Sequence, residues 1–207
     1  LGSANYFSSK IQGQVNGIRG LRSPGSALKP FIYGLAIDQG IVHPMTMLKD
    51  SPSSFNGYNP ENFEREFSGP INVHDALIRS RNIPAVQVSL QLKEPTLYDF
   101  LKLAGAGNLR EASFYGPTLA LGGAEVTMED LARLYSMLPN GGILKSLHMR
   151  MDEPQLPGPQ VLRSEAAYLV LDILKDNPRP AQSFKDSWTR DTLPVYWKTG
   201  TSYAFRD

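Results

Sequence analysis

The chain of 207 residues contains no cysteine. This absence excludes disulfide bonds, thiolate metal ligands and a cysteine nucleophile. The formal net charge of +1 gives no indication of nucleic acid or of an acidic partner. The sequence lacks any run of about 18 apolar residues, so it predicts no transmembrane helix within its span. Its three histidines are scattered without metal-ligand spacing, and neither a metal site nor another cofactor is predicted.

The start of the chain indicates part of a longer protein. There is no initiating methionine, and Leu1-Gly2-Ser3 resembles the interior of a protein. The length suits one domain with a sizeable core. We therefore expect residues 1–207 to form a single domain that is a fragment of its parent.

Apolar periodicity and Gly/Pro punctuation predict an alternation of helices and loops. Thr127 with Asp130, and Ser164, are predicted to cap helices that follow them. The order of elements predicts an α+β domain whose antiparallel sheet joins the two ends of the sequence, with a helical lobe between them. Helices are predicted over about 26–38, 72–79, 84–92, 96–104, 131–138 and 164–175, loops over 41–70 and 178–193, and strands within 1–22, 143–150 and 195–201.

Three short motifs follow one another along the chain. They are Ser26-Ala27-Leu28-Lys29, Ser80-Arg81-Asn82 and Lys198-Thr199-Gly200-Thr201. A Ser-x-x-Lys tetrad alone should occur about once by chance in this composition, so it is the ordered set that carries information.

The first two motifs contain the parts of an activated nucleophile. A serine hydroxyl needs a nearby base, and Ser26 and Lys29 share one face of a predicted helix. Burial and a second cation, Lys198, would lower the pKa of Lys29 and leave it partly neutral. Ser80 could then relay the proton to a leaving amine.

The remaining motif residues are predicted to bind substrate and to stabilise an oxyanion. Asn82 offers a donor and an acceptor to a peptide amide, and Gly200 leaves room for substrate backbone. Lys198, Thr199 and Thr201 can hold a carboxylate. The backbone N–H groups of Ser26 and Thr201 form the predicted oxyanion hole.

Each motif also has a plain structural interpretation. Ser26 could be an ordinary helix cap and Lys29 a solvated lysine. Ser80 and Asn82 could cap adjoining helices, and Lys198 could lie on an exposed edge strand.

Five segments extend beyond the three motifs. They are 22–31 (Arg-Ser-Pro-Gly-Ser-Ala-Leu-Lys-Pro-Phe), 58–62 (Tyr-Asn-Pro-Glu-Asn), 80–85 (Ser-Arg-Asn-Ile-Pro-Ala), 119–127 (Leu-Ala-Leu-Gly-Gly-Ala-Glu-Val-Thr) and 197–207 (Trp-Lys-Thr-Gly-Thr-Ser-Tyr-Ala-Phe-Arg-Asp). The three-motif set is known from β-lactamases and penicillin-binding proteins. Together the five segments resemble the transpeptidase domain of class A penicillin-binding proteins, and segment 197–207 looks most like the 1C branch of that family.

The resemblance implies a serine β-lactamase/penicillin-binding transpeptidase-like fold and a D,D-transpeptidase at the periplasmic face of the bacterial inner membrane. Ser26 would attack stem peptides ending in D-Ala-D-Ala, and β-lactams would acylate it covalently. A membrane anchor, a glycosyltransferase domain and C-terminal strands of the sheet would lie outside this chain. A cell-wall synthesis complex is the implied protein partner.

Two alternatives remain open at the level of the sequence. One is a hydrolase, either a D,D-carboxypeptidase or a β-lactamase, although no convincing glutamate motif lies between Asn82 and Lys198. The other is a non-catalytic penicillin-binding sensor or scaffold module. We expect no role in the chemistry for Arg81, which stands where a related motif version has Asp.

Overall fold

The computed structural model describes residues 3–148, 150–154, 156–178 and 195–201. Helices and one antiparallel sheet make up this part of the chain, which confirms the predicted α+β class. None of the described helices has the length and apolar content needed to span a membrane. The elements are α1 (Lys29–Asp38), β1 (Met47–Asp50), β2 (Gly69–Asn72), α2 (Val73–Ile78), α3 (Asn82–Gln91), α4 (Leu97–Leu103), α5 (Ala112–Tyr115), α6 (Met128–Met137) and α7 (Ser164–Lys175), with 3-10 helices at Ser9–Ile11, Gly17–Arg19, Gly25–Leu28 and Gly116–Leu121.

Helix α1 lies in the core and carries Lys29 into it. Every residue from Lys29 to Ala36 is buried, as expected for a helix with apolar side chains around most of its circumference. Pro30 stands in the first turn, where its missing N–H costs no intrahelical bond. The helix packs against α3 and α7, and Phe31 stacks on Phe100 of α4 with ring centroids 5.6 Å apart.

The predicted helix caps have different outcomes. Thr127 and Asp130 form the predicted pair at the start of α6: Thr127 Oγ1 accepts from the Asp130 N–H, and Asp130 Oδ2 accepts from the Thr127 N–H, both at 3.0 Å. The prediction for Ser164 is wrong, because Ser164 is the first helical residue and Arg163 is the N-cap. The Arg163 N–H donates to Asp38 Oδ1 at 2.9 Å, so α1 supplies the acceptor that the N3 side chain of a capping box would otherwise provide.

The prediction of a loop over 41–70 is wrong in part, because both strands of the sheet begin inside it. Strands β1 and β2 are antiparallel, with Met47 opposite Asn72 and Asp50 opposite Gly69. Pro70 makes the sequence of β2 look like a loop. Proline is nevertheless tolerated in an edge strand, at a position where the missing N–H would face the open edge of the sheet. The hairpin places the Asp50 carboxylate in the interior, where it is fully buried.

The strands predicted near the two ends of the sequence are not found in the described residues. Arg22 pairs with Val126, and Ile143 with Gln160, in single bridges. The first ladder stops after one pair because Pro24 lacks an N–H and Gly25 turns the chain with a positive φ. No strand is assigned over 195–201. The predicted loop over 178–193 lies, beyond residue 178, outside the described residues.

Candidate active site

One cleft brings residues of all three motifs together. It has a volume of about 370 Å³, and its walls include Ser26, Ser80, Asn82, Thr199 and Thr201. Across the described residues, no group of three His, Asp or Glu side chains is placed to hold a metal ion. The structure thus joins three motifs that are far apart in the sequence.

Ser26 is presented by a tight backbone turn. It lies in the 3-10 helix directly before α1, and its side chain is partly buried. The turn begins with Gly25 at φ +52°, and a Cβ there would lie 2.0 Å from the Thr201 carbonyl oxygen. The N–H groups of Ser26 and Thr201 donate to no carbonyl of the described residues. Both amides of the predicted oxyanion hole therefore lie in adjacent segments, without a partner among those residues.

Gly200 also packs against the serine turn. A Cβ at this position would lie 3.0 Å from the Pro24 carbonyl oxygen and 3.2 Å from the Ala27 Cβ. We expected this glycine to leave room for substrate. The structure gives it a second reason, since a side chain on this face would press on the backbone that carries Ser26.

Lys29 is the centre of a polar cluster inside the core. Its side chain is fully buried. Nζ donates to the Ser80 carbonyl at 2.5 Å, to Asn82 Oδ1 at 2.6 Å and more weakly to Ser80 Oγ at 3.3 Å. The interpretation of Lys29 as a solvated lysine is therefore wrong. A neutral Lys29 can keep the two short bonds as donor and direct its lone pair at a hydroxyl.

The backbone of Ser80 is held in a left-handed conformation, with φ +57°. This conformation costs a residue other than glycine about 1–2 kcal/mol. It follows the end of α2, where the Ser80 N–H donates to the Leu77 carbonyl and the Arg81 N–H to the Ala76 carbonyl. The turn directs the Ser80 carbonyl at Lys29 and its hydroxyl at Lys198.

Lys198 contacts the same hydroxyl from the third motif. Its Nζ donates to Ser80 Oγ at 2.7 Å and to the carbonyl and Oγ1 of Thr199 at 3.0 and 3.1 Å. Both lysine Nζ atoms therefore lie within hydrogen-bond distance of Ser80 Oγ, which is the hydroxyl of the predicted relay. Neither lysine contacts Ser26 Oγ: no hydrogen bond of that hydroxyl is found among the described residues, so the Ser26–Lys29 contact of a general-base step has still to form.

Burial and neighbouring charges lower the pKa of both lysines of the site. Burial lowers the pKa of Lys29 well below its usual value, and the charges of Lys198 and then Arg81 lower it further, whereas Asp50 raises it. Burial also lowers the pKa of Lys198, to about 8. The lowered pKa makes Lys29 the better placed proton acceptor, whereas Lys198, with a pKa of about 8, is still largely protonated near neutral pH.

A further group of polar residues in and beneath the cleft gave little signal in the sequence. Arg81, for which we expect no role in the chemistry, lies 3.4 Å from the buried carboxylate of Asp50 and donates to Glu64 Oε2 at 2.9 Å. Asn62 Nδ2 donates to Asp50 Oδ1 at 2.8 Å. The resemblance of 58–62 was the only signal for Asn62, and nothing in the local sequence pointed to Asp50.

Comparison with known proteins identifies the family of this chain. Residues 6–207 match the family described as "Penicillin binding protein transpeptidase domain". The chain is 38% identical to penicillin-binding protein 1C of Escherichia coli (strain K12) over 216 aligned positions, covering 100% of this chain and 26% of that protein. It is 28% identical to penicillin-binding protein 1A of Neisseria cinerea, over 90% of this chain and 26% of that protein. It thus spans about a quarter of the length of these curated relatives.

A solved structure shares the fold. The apo structure of the TP domain from Burkholderia pseudomallei penicillin-binding protein 3 superposes with a TM-score of 0.69 and 22% sequence identity, over 80% of this chain and 56% of that one. The whole-chain match, the shared fold and the converging motifs lead to one assignment: the chain belongs to the penicillin-binding protein transpeptidase domain family.

Proposed function

We propose that the chain is the catalytic domain of a serine D,D-transpeptidase that cross-links peptidoglycan stem peptides. The observation that carries this proposal is the convergence of Lys29 and Lys198 on Ser80 Oγ, at 3.3 and 2.7 Å, in the cleft that Ser26 lines. Such a constellation can move a proton from a nucleophile to a leaving group across one hydroxyl.

In the acylation step, Ser26 Oγ attacks the penultimate D-Ala carbonyl and its proton passes to neutral Lys29. The C–N bond then breaks, and the proton travels from Lys29 through Ser80 Oγ to the departing amine of the terminal D-Ala. In the second step an acceptor amine attacks the ester, loses a proton by the reverse route, and releases Ser26 with a new peptide bond. A β-lactam would undergo only the first step efficiently.

The binding roles follow from the groups that line the cleft. Protonated Lys198, with the hydroxyls of Thr199 and Thr201, would hold the terminal carboxylate. The N–H groups of Ser26 and Thr201 would stabilise the oxyanion. Asn82 donates from Nδ2 to the Glu61 carbonyl at 2.6 Å and accepts from Lys29, yet it retains a second N–H and a second lone pair for substrate.

Two features favour transfer over hydrolysis. Hydrolysis would need an acidic side chain that holds a water molecule. Among the described residues that line the cleft, the only acidic one is Glu64, and its carboxylate accepts a hydrogen bond from Arg81 instead. A second cleft of about 760 Å³ shares Leu121 and Thr201 with the first. That adjoining space gives an acceptor stem peptide room to reach the acyl-enzyme.

Beyond this domain, the names of the relatives support a class A parent. We infer that the parent protein carries a membrane anchor and a peptidoglycan glycosyltransferase domain, and that it works at the periplasmic face of the inner membrane within a cell-wall synthesis complex. Fractionation of the parent and detection of glycan polymerisation would test these inferences.

Covalent labelling tests the central proposal. The natural protein that carries this chain is incubated with a fluorescent penicillin, and the adduct is mapped by mass spectrometry. We expect the adduct on Ser26 and none in Ser26→Ala, with normal labelling in the control Ser164→Ala, whose exposed serine begins α7. An adduct elsewhere would falsify the assignment of the nucleophile.

A turnover assay separates the alternatives. The same protein is given a stem peptide ending in D-Ala-D-Ala together with an acceptor amine. Cross-linked product supports the transpeptidase. Hydrolysed product alone indicates a carboxypeptidase, and labelling without turnover of either kind indicates a sensor.

A further inference from the structure

A buried acid lies behind the cleft and takes no part in the proposed proton transfers. Asp50, the last residue of β1, is fully buried. Its Oδ1 accepts from Asn62 Nδ2 at 2.8 Å, and its Oδ2 accepts from the Ser68 N–H at 2.9 Å. Arg81 Nε lies 3.4 Å from Oδ2 and is itself buried, with no hydrogen bond of its own. Such a carboxylate is costly to bury, so its full set of partners calls for an explanation.

One branch of contacts runs from Asp50 through Asn62 to Lys29. Because Asn62 donates to Asp50, its oxygen is turned the other way and accepts from the Asn82 N–H at 2.9 Å. Asn82 begins α3 at this point, and its own side-chain oxygen accepts from Lys29 at 2.6 Å. Three consecutive hydrogen bonds therefore connect the buried carboxylate to the proposed base.

The other branch runs through Arg81, which lies between Ser80 and Asn82 in the chain. Its guanidinium group contacts Asp50, donates to Ser68 Oγ at 2.7 Å and donates to Glu64 at 2.9 Å. These contacts fix the middle of the turn on which Ser80 adopts its left-handed conformation. Arg81 therefore anchors the turn to Asp50, Ser68 and Glu64 between the two residues that contact Lys29.

From these contacts we propose that Asp50 is a positioning residue of the active site: it holds the Ser80–Asn82 turn against Lys29 and balances the charge of Arg81 behind it. The inference rests on the proposed function, because positioning is defined here by the rate of Ser26 acylation. Asp50 touches neither the substrate nor the reacting atoms.

The charge part of this role has a definite direction. The charged groups that bear on Lys29 are Lys198 across the cleft, Arg81 before α3 and Asp50 at the end of β1, and the Tyr33 hydroxyl of α1 is neutral because burial raises its pKa. Arg81 lowers the pKa of Lys29, and Asp50 raises it. Because the two effects oppose each other, the pair lowers the pKa of Lys29 less than the guanidinium group of Arg81 would alone.

The test compares the pH dependence of acylation in Asp50→Asn, Arg81→Met and the double variant. Each is made in the natural protein that carries this chain, and the second-order rate of penicillin labelling is measured from pH 5 to 10 with the melting temperature. Asp50→Asn keeps the shape of the side chain, but its NH2 group would face either the Asn62 Nδ2 or the Ser68 N–H, both of which are donors, so one hydrogen bond is lost. We expect labelling to slow about 10- to 100-fold, since small displacements of catalytic groups have costs of that order.

The acidic limb of the profile separates positioning from mere structural support. It should move to lower pH in Asp50→Asn and to higher pH in Arg81→Met, each by about half a unit or more, because each removes one charge of opposite sign. In the double variant it should return close to the parent position. Asp172→Asn, an exposed acid paired with Lys175 on α7, is the matched control and should leave both rate and limb unchanged.

An acidic limb that stays in place in Arg81→Met would overturn the inference, and this variant decides the matter even if Asp50→Asn does not fold. Folded Asp50→Asn that labels within about threefold of the parent would overturn it as well. Either result, obtained while Ser26 is still labelled, leaves the proposed function intact. Absence of a Ser26 adduct in the parent would instead refute the proposed function.

Discussion

Removal of the Lys198 charge should shift the pH at which Ser26 becomes acylated. The Nζ atoms of Lys29 and Lys198 lie 3.3 and 2.7 Å from the same Ser80 oxygen, so they are at most about 6 Å apart. Two unit charges at that separation repel by about 0.7 kcal/mol in water and about 2.8 kcal/mol at an effective dielectric constant near 20. The cleft is partly open, so we expect Lys198→Met to raise the pKa of Lys29 by about 0.5–2 units.

The sign of the effect on the rate follows from the role of Lys29. A base must be neutral to accept a proton, so a higher pKa moves the acidic limb of the acylation profile to higher pH by the same amount. Below the limb, labelling should slow by about 3- to 100-fold from this cause. On the plateau, any further loss reports the missing contact with the penicillin carboxylate.

The assay is the second-order rate of penicillin labelling from pH 5 to 10, with two matched variants. Lys198→Arg keeps the charge and should leave the acidic limb near its parent position. It should also remove an alkaline limb near pH 8, where Lys198 itself loses its proton because burial lowers its pKa to about 8. Lys175→Met, on the exposed end of α7, should change neither limb. An acidic limb that does not move in Lys198→Met would refute the electrostatic coupling of the two lysines.

Three further predictions concern the geometry of the site. Gly25→Ala should abolish labelling, because its Cβ would meet the Thr201 carbonyl at 2.0 Å. Gly40→Ala, with φ +68° and open space, should cost only about 1 kcal/mol of stability and leave labelling intact. Penicillin labelling and chemical denaturation of both variants check these expectations. Ser80→Gly and Ser80→Ala should both lose the relay hydroxyl, but only the glycine variant should gain about 1 kcal/mol by relieving the positive φ. Lys29→Met should slow labelling by about 10²–10⁴-fold. In the parent, the pKa of Lys29 is lower in the folded state than in the unfolded state, so the unfolded chain binds the proton more tightly and the free energy of unfolding rises with pH up to about pH 10.4. Lys29→Met should flatten this rise, which urea titrations at pH 7 and 9 would show.

The sequence predicted the helices well because their signals are local. Apolar periodicity placed α1, α2, α3 and α4 to within a few residues, and the Thr127–Asp130 pair placed the start of α6. Strands were predicted poorly because a strand depends on a partner that local composition does not reveal. β2 contains Gly69 and Pro70, which favour a loop until β1 is known to lie beside them.

The meeting of the three motifs could be predicted because known chemistry limits such motifs to few residue types in a fixed order, whereas the roles of their residues stay a prediction. Their separations in the sequence are large, yet the structure brings Ser26, Ser80 and Thr199 to one cleft, as the prediction required. The supporting residues Asp50 and Asn62 were not predictable in the same way. Each lies in a segment that reads as a loop, and its role depends on what faces it in three dimensions.

Three features that are unfavourable for folding on general grounds occur together at the candidate site. A serine at positive φ, a buried lysine and a buried aspartate each oppose folding when taken alone. They are compatible with a stable domain because each satisfies another: Ser80 and Asn82 accept the hydrogen bonds of Lys29, while Asp50 balances the Arg81 between them. Departures from local rules at functional sites are expected where chemistry requires them. A lysine whose pKa is lowered by burial has to be hidden from water, and the turn that hides it has to face inward with its carbonyl and hydroxyl oxygens. The left-handed Ser80 and the buried carboxylate of Asp50 therefore follow from the same requirement as the proposed base.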